Sequence, residues 1–329
     1  MKGILKKLCD HESLSRAEAN GILVNISNNE YNDAQIAAFV TVYLMRAITV
    51  DELSGFRDAL LDLCILVDFE GQDTIDMCGT GGDGKNTFNI STLASFVVAG
   101  AGYKVAKHGN SSVSSACGSS DVLKHFGYEF TNEVDTLKKQ LDQANICFMH
   151  APLFHPAMKS VGPVRKQLGM KTFFNMLGPM VNPSKPSHQF VGVFSRELAR
   201  LYQYIFQKET NKQYCVVHSL DGYDEISLTG KFQLKGNHEE FVMTPADLTL
   251  KTLKAEQLFG GDTVEEAASI FKSVIQAEAR DAQHEVVIAN AGVAIHCIHP
   301  EKSFADCIAE AKTSLLSKAA LDKFKKLIS

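Results

Sequence analysis

Four glycines lie within the six residues Gly79–Gly84, and polar side chains follow them. The preceding residues, Thr74–Cys78, have the pattern of a strand, and a helix is predicted from Ser91 to about Gly100. Backbone N–H groups in such a loop, together with the positive end of the helix dipole, favour an anion. Glycine loses more conformational entropy on folding than other residues, so four glycines in one loop need a compensating reason. A close approach of the backbone to a ligand is such a reason. We therefore interpret the segment as a phosphate-binding loop rather than as a simple turn.

Two standard glycine motifs match this loop only in part. The spacing satisfies G-x-G-x-x-G, but the dinucleotide fingerprint also needs an acidic residue after the next strand, where Lys107 stands. The spacing also approaches a P-loop, but Asn86 occupies the position of the magnesium-binding Ser or Thr, and Asp83 would repel a bare triphosphate. These mismatches are explained if the ligand is a phosphorylated sugar that carries a diphosphate. An acidic residue in the loop can then hold ribose hydroxyls or a metal-bound water. Further donors at the start of the helix are Asn89, Ser91 and Thr92.

Three further groups of residues would complete such a site. The loop Lys107–Ser115 offers a lysine, several hydroxyls and backbone N–H groups, and Ser119 begins the next helix. Adjacent Asp224 and Glu225 could ligate magnesium while substrate phosphates complete its shell. Arg165 could form a bidentate pair with a planar carboxylate. Taken singly, each group also has a plainer interpretation: a solvated serine-rich loop, a solvated turn and a surface arginine.

The elements that position these residues are predicted to form an α/β fold. Residues 1 to about 68 have helical periodicity with capping boxes at Ser15-x-x-Glu18 and Thr49-x-x-Glu52, and strands alternate with helices beyond them. This order predicts a small N-terminal α-helical domain and a larger α/β domain with a mostly parallel central sheet. The predicted domains are residues 1–69, with the proline-rich segment 163–187 returning to them, and residues 70–329.

Composition narrows the class of protein. The 329 residues carry 33 Lys and Arg against 38 Asp and Glu, and this net charge of −5 argues against a general nucleic-acid binder. Eight scattered cysteines indicate reduced thiols, and no uncharged stretch is apolar enough for a membrane span, so we expect a soluble cytoplasmic protein. A zinc site is suggested by four residues near the end of the chain: His296, Cys297, His299 and Cys307. Because there is no second ligand pair at zinc spacing, we interpret them as ordinary helix residues.

Assembled in order, these loops resemble those of the anthranilate phosphoribosyltransferase family, across the whole chain. The matching motifs are GTGGD at Gly79–Asp83, NIST at Asn89–Thr92, KHGN at Lys107–Asn110, HPAMKSVGPVR at His155–Arg165, FNMLGPMVNP at Phe174–Pro183 and DGYDE at Asp221–Glu225. The resemblance implies a fold of the nucleoside-phosphorylase type, Mg²⁺, and a homodimer joined through the helical domain. It also implies transfer of the phosphoribosyl group of phosphoribosyl diphosphate to the amine of anthranilate, the second step of tryptophan biosynthesis from chorismate.

The resemblance also implies roles for individual residues. Phosphoribosyl diphosphate would contact Gly79, Gly82, Asp83, Thr87, Asn89, Ile90, Ser91, Thr92, Lys107, Ser115 and Ser119. Anthranilate would contact Gly79, His108, Asn110 and Arg165, and magnesium would bind Ser91, Asp224 and Glu225. The chain departs from many family members at Ser111 and Lys171, where they have Arg, and at Ser120, where they have Ala. Serine in place of arginine at position 111 is expected to affect substrate affinity more than the type of reaction.

No acid/base residue is assigned, because an aromatic amine is already neutral at pH 7 and the sequence has no triad or activated cysteine. Two alternatives stay open. A pyrimidine-nucleoside phosphorylase of the same architecture would use inorganic phosphate, and a non-catalytic relative would bind nucleic acid through a basic surface. The second alternative is less favoured, since the net charge is −5 and the catalytic loops are intact. A P-loop kinase is disfavoured by Asn86.

Overall fold

The computed structural model describes residues 1–111 and 116–329 of the chain. Its central feature is a seven-stranded sheet in the order β3-β2-β1-β4-β5-β6-β7. The pairs among β1 to β5 are parallel, and β6 and β7 add to β5 in antiparallel fashion. The strands are β1 (Ile75–Gly79), β2 (Val105–Gly109), β3 (Ile146–His150), β4 (His188–Gly192), β5 (Gln213–Ser219), β6 (Phe232–Gly236) and β7 (Glu240–Met243). The predicted fold class, a helical N-terminal part followed by a mostly parallel α/β sheet, is confirmed.

Helices account for most of the remaining chain. The first four are α1 (Lys2–Cys9), α2 (Arg16–Ser27), α3 (Asp33–Met45) and α4 (Val50–Asp62). Around the sheet and in the excursion come α5 (Ile90–Gly100), α6 (Ser119–His125), α7 (Val134–Ala144), α8 (Ala151–Phe154), α9 (Gly162–Leu168) and α10 (Arg196–Phe206). The chain ends with α11 (Val264–Ile275), α12 (Asp281–Ile298), α13 (Phe304–Leu316) and α14 (Ala319–Ile328). None of the helices in the described part of the chain is long and apolar enough to cross a membrane.

The chain divides into two compact units. The first, called the helical unit, contains residues 1–67 and 151–185, and the second, called the sheet unit, contains residues 68–150 and 186–329. Within the helical unit the excursion is tied to the end of the first segment, since Ile65 N donates to Phe154 O at 2.9 Å and Val67 N donates to Pro183 O at 3.2 Å. The domain boundaries drawn from the sequence, 1–69 with 163–187 and 70–329, stay a prediction about independently folding domains.

Packing in the helical unit explains why the excursion belongs there. Phe173 stacks on Phe56 of α4 with ring centroids 4.5 Å apart and meets Phe39 of α3 edge-on at 6.2 Å. All three side chains are buried. Aromatic contacts of this kind add to the free energy of burial, so residues 151–185 supply part of the core that the first four helices lack on their own.

The predicted capping boxes at Ser15/Glu18 and Thr49/Glu52 are confirmed. Glu52 does more than cap α4, because its buried carboxylate also accepts from Leu14 N at 3.0 Å and from the Tyr43 hydroxyl at 3.2 Å. Arg46 forms an ion pair with the same carboxylate. Burial raises the pKa of Glu52, but the hydrogen bonds from Arg46 and the backbone together outweigh it and lower the pKa below its ordinary value.

Candidate active site

The glycine loop begins at the carboxyl end of β1, beside the end of β4. Gly79 and Gly192 are register partners in the two strands, and Thr80 N donates to Gly192 O at 2.9 Å. Gly81, like two of the other loop glycines, has a positive φ (64°), a conformation that side chains disfavour. The chain therefore turns sharply away from the sheet at this point, with its backbone exposed to a ligand.

Asp224 lies directly against both strand ends. A Cβ built on Gly79 would lie 2.3 Å from Asp224 Oδ2, and a Cβ on Gly192 would lie 1.4 Å from the Asp224 backbone oxygen. Gly81 N donates to Asp224 Oδ2 at 2.6 Å. The structure thus brings the predicted acidic pair and the predicted glycine loop into contact, and glycine at both strand ends leaves the room that this contact needs.

Three carboxylates gather around this contact. Burial raises the pKa of Asp224, and repulsion by the Asp83 carboxylate raises it further. Burial also raises the pKa of Glu225, with a second contribution from Asp224, although a hydrogen bond with the Thr87 side chain acts in the opposite direction. The proximity of three like charges in a poorly solvated place is unfavourable unless a cation or a proton compensates for it.

The residues fit a hard divalent cation. Glu225 Oε1 and Asp83 Oδ2 are buried and have no hydrogen-bond partner among the residues that the structure describes, and carboxylate oxygens are the ligands that Mg²⁺ prefers. Within residues 1–111 and 116–329, no three His, Cys, Asp or Glu side chains are grouped closely enough to hold a metal by themselves. This is the arrangement expected for Mg²⁺, which usually takes one or two carboxylates and fills its other positions with water and substrate phosphate.

A polar network lies beneath the loops inside the sheet. Asp76, fully buried in β1, accepts from His108 N at 3.0 Å and from Gln189 Nε2 at 3.2 Å. Lys107 is also buried, and its ammonium group donates to the Met77 carbonyl oxygen. Burial lowers the pKa of Lys107, and the neighbouring Cys78 and Asp76 oppose this shift. Because an ammonium group has three donors, this bond uses one of them and does not prevent Lys107 from binding a phosphate.

The second predicted loop is connected to the start of α5 and α6. Asn89 Nδ2 donates to Cys117 O at 3.1 Å, and Ser119 Oγ donates to Asn110 O at 3.2 Å. Asn89 Oδ1 and Thr92 Oγ1 are buried and have no hydrogen-bond partner among residues 1–111 and 116–329, so both are available to a ligand. The remaining predicted contacts at the helix start, Ile90 and Ser91, lie in the first turn of α5. Ser115, also predicted to bind the sugar diphosphate, lies outside the described residues.

The departures from the family pattern can be placed in part. Ser120 Oγ lies 2.9 Å from His150 Nδ1, a contact that an alanine would not make. Burial lowers the pKa of His150, which favours a neutral imidazole that can accept from or donate to this hydroxyl. At position 111, the backbone N–H of Ser111 donates to Asn110 Oδ1 at 2.8 Å. This bond orients the Asn110 side chain, which is predicted to contact anthranilate.

Arg165, the predicted partner of the substrate carboxylate, lies in α9 of the helical unit. Its Nη2 donates to Asn175 Oδ1 at 3.3 Å, and its guanidinium carbon lies 5.5 Å from the centre of the Phe174 ring. Burial lowers the pKa of Arg165, although a guanidinium stays charged in any physiological range. Within the described part of the chain these contacts use one amide and one ring face, so the guanidinium of Arg165 retains donors for a carboxylate.

The histidines and cysteines that suggested zinc have other roles. His296 lies in the last turn of α12, where its Nδ1 is 2.9 Å from Lys302 O, and His299 Nδ1 is 2.9 Å from Glu301 Oε1. Cys297 and Cys307 are buried. These contacts are those of helix-end and core residues.

Sequence reasoning missed Asp76, Gln189 and Gly192. Asp76 was included in a predicted strand without a role, although a carboxylate in a buried strand indicates a polar partner. That partner, Gln189, is 113 residues away in the sequence, and only the register of β1 and β4 brings the two together. Gly192 ends β4 opposite Gly79, a pairing that the sequence of either strand does not specify.

The fold and the site define a class of protein: an α/β enzyme that binds a phosphorylated substrate at the carboxyl ends of parallel strands, with an acidic pair suited to a divalent cation. Residues 71–321 match the model of the glycosyl transferase family a/b domain, and residues 2–64 match that of its helical bundle domain.

Similar proteins are named more specifically. The chain is 56% identical over 330 residues to an anthranilate phosphoribosyltransferase of Flavobacterium johnsoniae, covering 99% of this chain and 98% of the relative. It is 54% identical over 328 residues to that of Cytophaga hutchinsonii, covering both chains completely. A crystal structure of the Thermus thermophilus enzyme matches with a TM-score of 0.91 at 29% identity, covering 98% of each chain. The structure of the Saccharomyces cerevisiae enzyme in complex with PRPP and Mg also matches with a TM-score of 0.91, at 27% identity, and the match covers 98% of this chain and 95% of the yeast chain. This chain belongs to the anthranilate phosphoribosyltransferase family.

Proposed function

We propose that this protein transfers the phosphoribosyl group of 5-phosphoribosyl 1-diphosphate to the amino group of anthranilate, giving N-(5-phosphoribosyl)anthranilate and diphosphate. This is the second step of tryptophan biosynthesis from chorismate. The observation that carries the proposal is the contact between the glycine loop and the acidic pair, in which Gly81 N donates to Asp224 Oδ2 at 2.6 Å. This contact brings backbone donors for a diphosphate next to carboxylates for its counter-ion.

The residues of the sheet unit would bind the sugar diphosphate from several sides. The glycine loop and the start of α5 provide N–H donors, and the buried Asn89 Oδ1 and Thr92 Oγ1, which have no partner in the described part of the chain, are available to the ligand. The residues proposed for this contact are Gly79, Gly82, Asp83, Thr87, Asn89, Ile90, Ser91, Thr92, Lys107 and Ser119. Anthranilate would be held by Gly79, His108 and Asn110, with Arg165 on its carboxylate.

Mg²⁺ is the proposed cofactor, held by Asp224 and Glu225 with Ser91 as a further ligand. When bound, it neutralises charge that develops on the leaving diphosphate, an effect that can contribute several kcal/mol. The loop N–H groups stabilise the same charge, and the surrounding residues hold the amine in line with the bond that breaks. The anthranilate amine attacks as its neutral form and, once the N–C bond has formed and diphosphate has left, releases one proton to solvent or to the diphosphate, so we assign no general base.

The test is consumption of anthranilate, followed by loss of its fluorescence, on mixing the protein with phosphoribosyl diphosphate and Mg²⁺. We expect diphosphate release that depends on anthranilate, and a double variant Asp224→Asn with Glu225→Gln should lose about 100-fold or more in turnover, partly restored by excess Mg²⁺. An unchanged anthranilate signal would refute the proposed function. Phosphorolysis of a pyrimidine nucleoside would instead support the phosphorylase alternative.

We further propose a cytoplasmic homodimer joined through the helical unit. Its support is the family resemblance together with large apolar side chains exposed in that unit, of which Met45 (86% exposed) and Met170 (59%) are the most exposed. Light scattering after gel filtration should give twice the mass of the chain. The mass of a single chain at micromolar concentration would exclude this assembly.

A further inference from the structure

The second half of the glycine loop, Asn86–Phe88, is held by a distant segment, Leu258–Gly261, here called the clamp segment. Phe88 N donates to Leu258 O at 3.1 Å, and Gly260 N donates to Asn86 O at 2.8 Å. Thr87 and Phe259 form an antiparallel bridge between these bonds. The two segments therefore form a minimal two-stranded ladder next to the site, outside the main sheet.

Asn86 joins this ladder through its side chain as well. Its Nδ2 donates to Gly261 O at 3.1 Å, and its Oδ1 lies 3.5 Å from Ala116 N, at the end of the second loop. Its φ of 48° is in the left-handed region, where asparagine is among the few tolerated side chains. Asn86, which a P-loop would replace by a magnesium-binding Ser or Thr, is here a structural connection between three segments.

The clamp segment can approach this closely only because residue 260 is glycine. A Cβ at Gly260 would lie 2.6 Å from Thr87 O and 2.8 Å from Phe88 N, both backbone atoms that cannot rotate away. The segment is anchored at its other end, where Asp262 N donates to Glu266 Oε2 at 2.7 Å in the first turn of α11. The ladder thus connects the glycine loop to the first turn of α11.

The ladder fixes the backbone at Thr87, a residue proposed to contact the sugar diphosphate. We propose that the clamp segment and Asn86 are positioning residues for substrate: they hold Thr87 and the loop around it where this loop meets the magnesium complex of a bound sugar diphosphate. Neither Asn86 nor Gly260 needs to touch the substrate. This inference rests on the proposed function, because it names the elements that set affinity for the magnesium complex of phosphoribosyl diphosphate.

The test compares Gly260→Ala and Asn86→Gly with Gly236→Ala. Restoring ordinary contact in Gly260→Ala requires Thr87 to move by nearly 1 Å, which predicts about a tenfold or greater rise in KM for phosphoribosyl diphosphate and in the half-saturating Mg²⁺ concentration. Asn86→Gly tolerates the positive φ but removes the hydrogen bonds of the Asn86 side chain. We expect it to raise the KM for phosphoribosyl diphosphate and the half-saturating Mg²⁺ concentration by about fivefold each. In both variants KM for anthranilate should stay within about twofold. The control adds a Cβ that lies 3.4 Å from Tyr214 O, an ordinary contact, and should change nothing.

A second readout is calorimetric titration of the protein with phosphoribosyl diphosphate in the presence of Mg²⁺ and without anthranilate. The two variants should show the same losses of affinity in this titration. Wild-type affinity in Asn86→Gly, or an equal rise of both KM values with a lowered melting temperature, would overturn the proposal even if Gly260→Ala does not fold. If the wild-type protein neither binds nor turns over phosphoribosyl diphosphate, the proposed function itself fails, a result that these variants cannot mimic.

Discussion

Gly192→Ala is the most severe single test of how the site is built. The added Cβ would lie 1.4 Å from the backbone oxygen of Asp224 and 2.4 Å from its carbonyl carbon. An ordinary contact is about 3.4 Å or longer, so residue 224 must move by about 2 Å. A misplacement of 1 Å can cost about 100-fold in rate, so we expect kcat/KM to fall by at least that factor. Overpacking at this position should also lower the free energy of unfolding by about 1–3 kcal/mol.

The assay is initial-rate loss of anthranilate fluorescence over a matrix of Mg²⁺ and phosphoribosyl diphosphate concentrations, with Gly236→Ala as the matched glycine control. Displacement of the acidic pair predicts that Gly192→Ala requires more Mg²⁺ for half-saturation as well as losing turnover. Retention of wild-type kcat/KM to within threefold in a folded Gly192→Ala protein would show that residue 224 is not needed where the structure has it. The role of Asp224 in holding the cation would then be refuted.

Two further predictions concern the helical unit. Arg165→Ala should raise KM for anthranilate by at least about tenfold and leave that for phosphoribosyl diphosphate nearly unchanged, since a bidentate pair with a carboxylate is lost; equal effects on both constants would contradict this role. Glu52→Gln should lower the free energy of unfolding at pH 7 by about 3 kcal/mol, because the charge of Arg46 loses its partner. The pKa of Glu52 is lower in the folded protein than in the unfolded chain, where it is about 4.3. The charged carboxylate therefore contributes fully to the free energy of unfolding above about pH 4.3, and this contribution is lost as the pH falls through the pKa of the folded state. Urea denaturation followed by circular dichroism should therefore show the variant approaching wild type as the pH is lowered below 4; a constant difference would refute this origin.

Much of the site could be predicted because its parts are local. A glycine-rich turn after a strand, or hydroxyl side chains at a helix start, are recognisable within about ten residues of sequence. Since the carboxyl ends of parallel strands lie at one edge of a sheet, the α/β pattern alone predicts that such loops converge. The contact between Gly81 and Asp224, 143 residues apart, agrees with this expectation.

What could not be predicted depends on pairing between distant segments. The clamp segment meets the glycine loop across more than 170 residues, and its sequence has no pattern that names the loop as its partner. The Asp76–Gln189 contact likewise requires knowledge that β1 is next to β4 in the sheet and in which register. Periodicity identifies which face of a strand is buried, but it does not specify which strand lies beside it.

The acidic pair determines how the site can bind a polyanion in a protein of net charge −5. Asp83, Asp224 and Glu225 would repel a diphosphate, and burial strengthens that repulsion because water screens it poorly. Of the two lysines in the adjoining loops, Lys107 is buried and already donates to a backbone carbonyl, and Lys85 is exposed, with its ammonium group 4.7 Å from the centre of the Tyr223 ring. Backbone N–H groups and two lysines cannot neutralise three carboxylates and a diphosphate together. Affinity for the sugar diphosphate must therefore depend on the divalent cation, and the carboxylates make the site selective for a phosphate ligand that arrives with its metal.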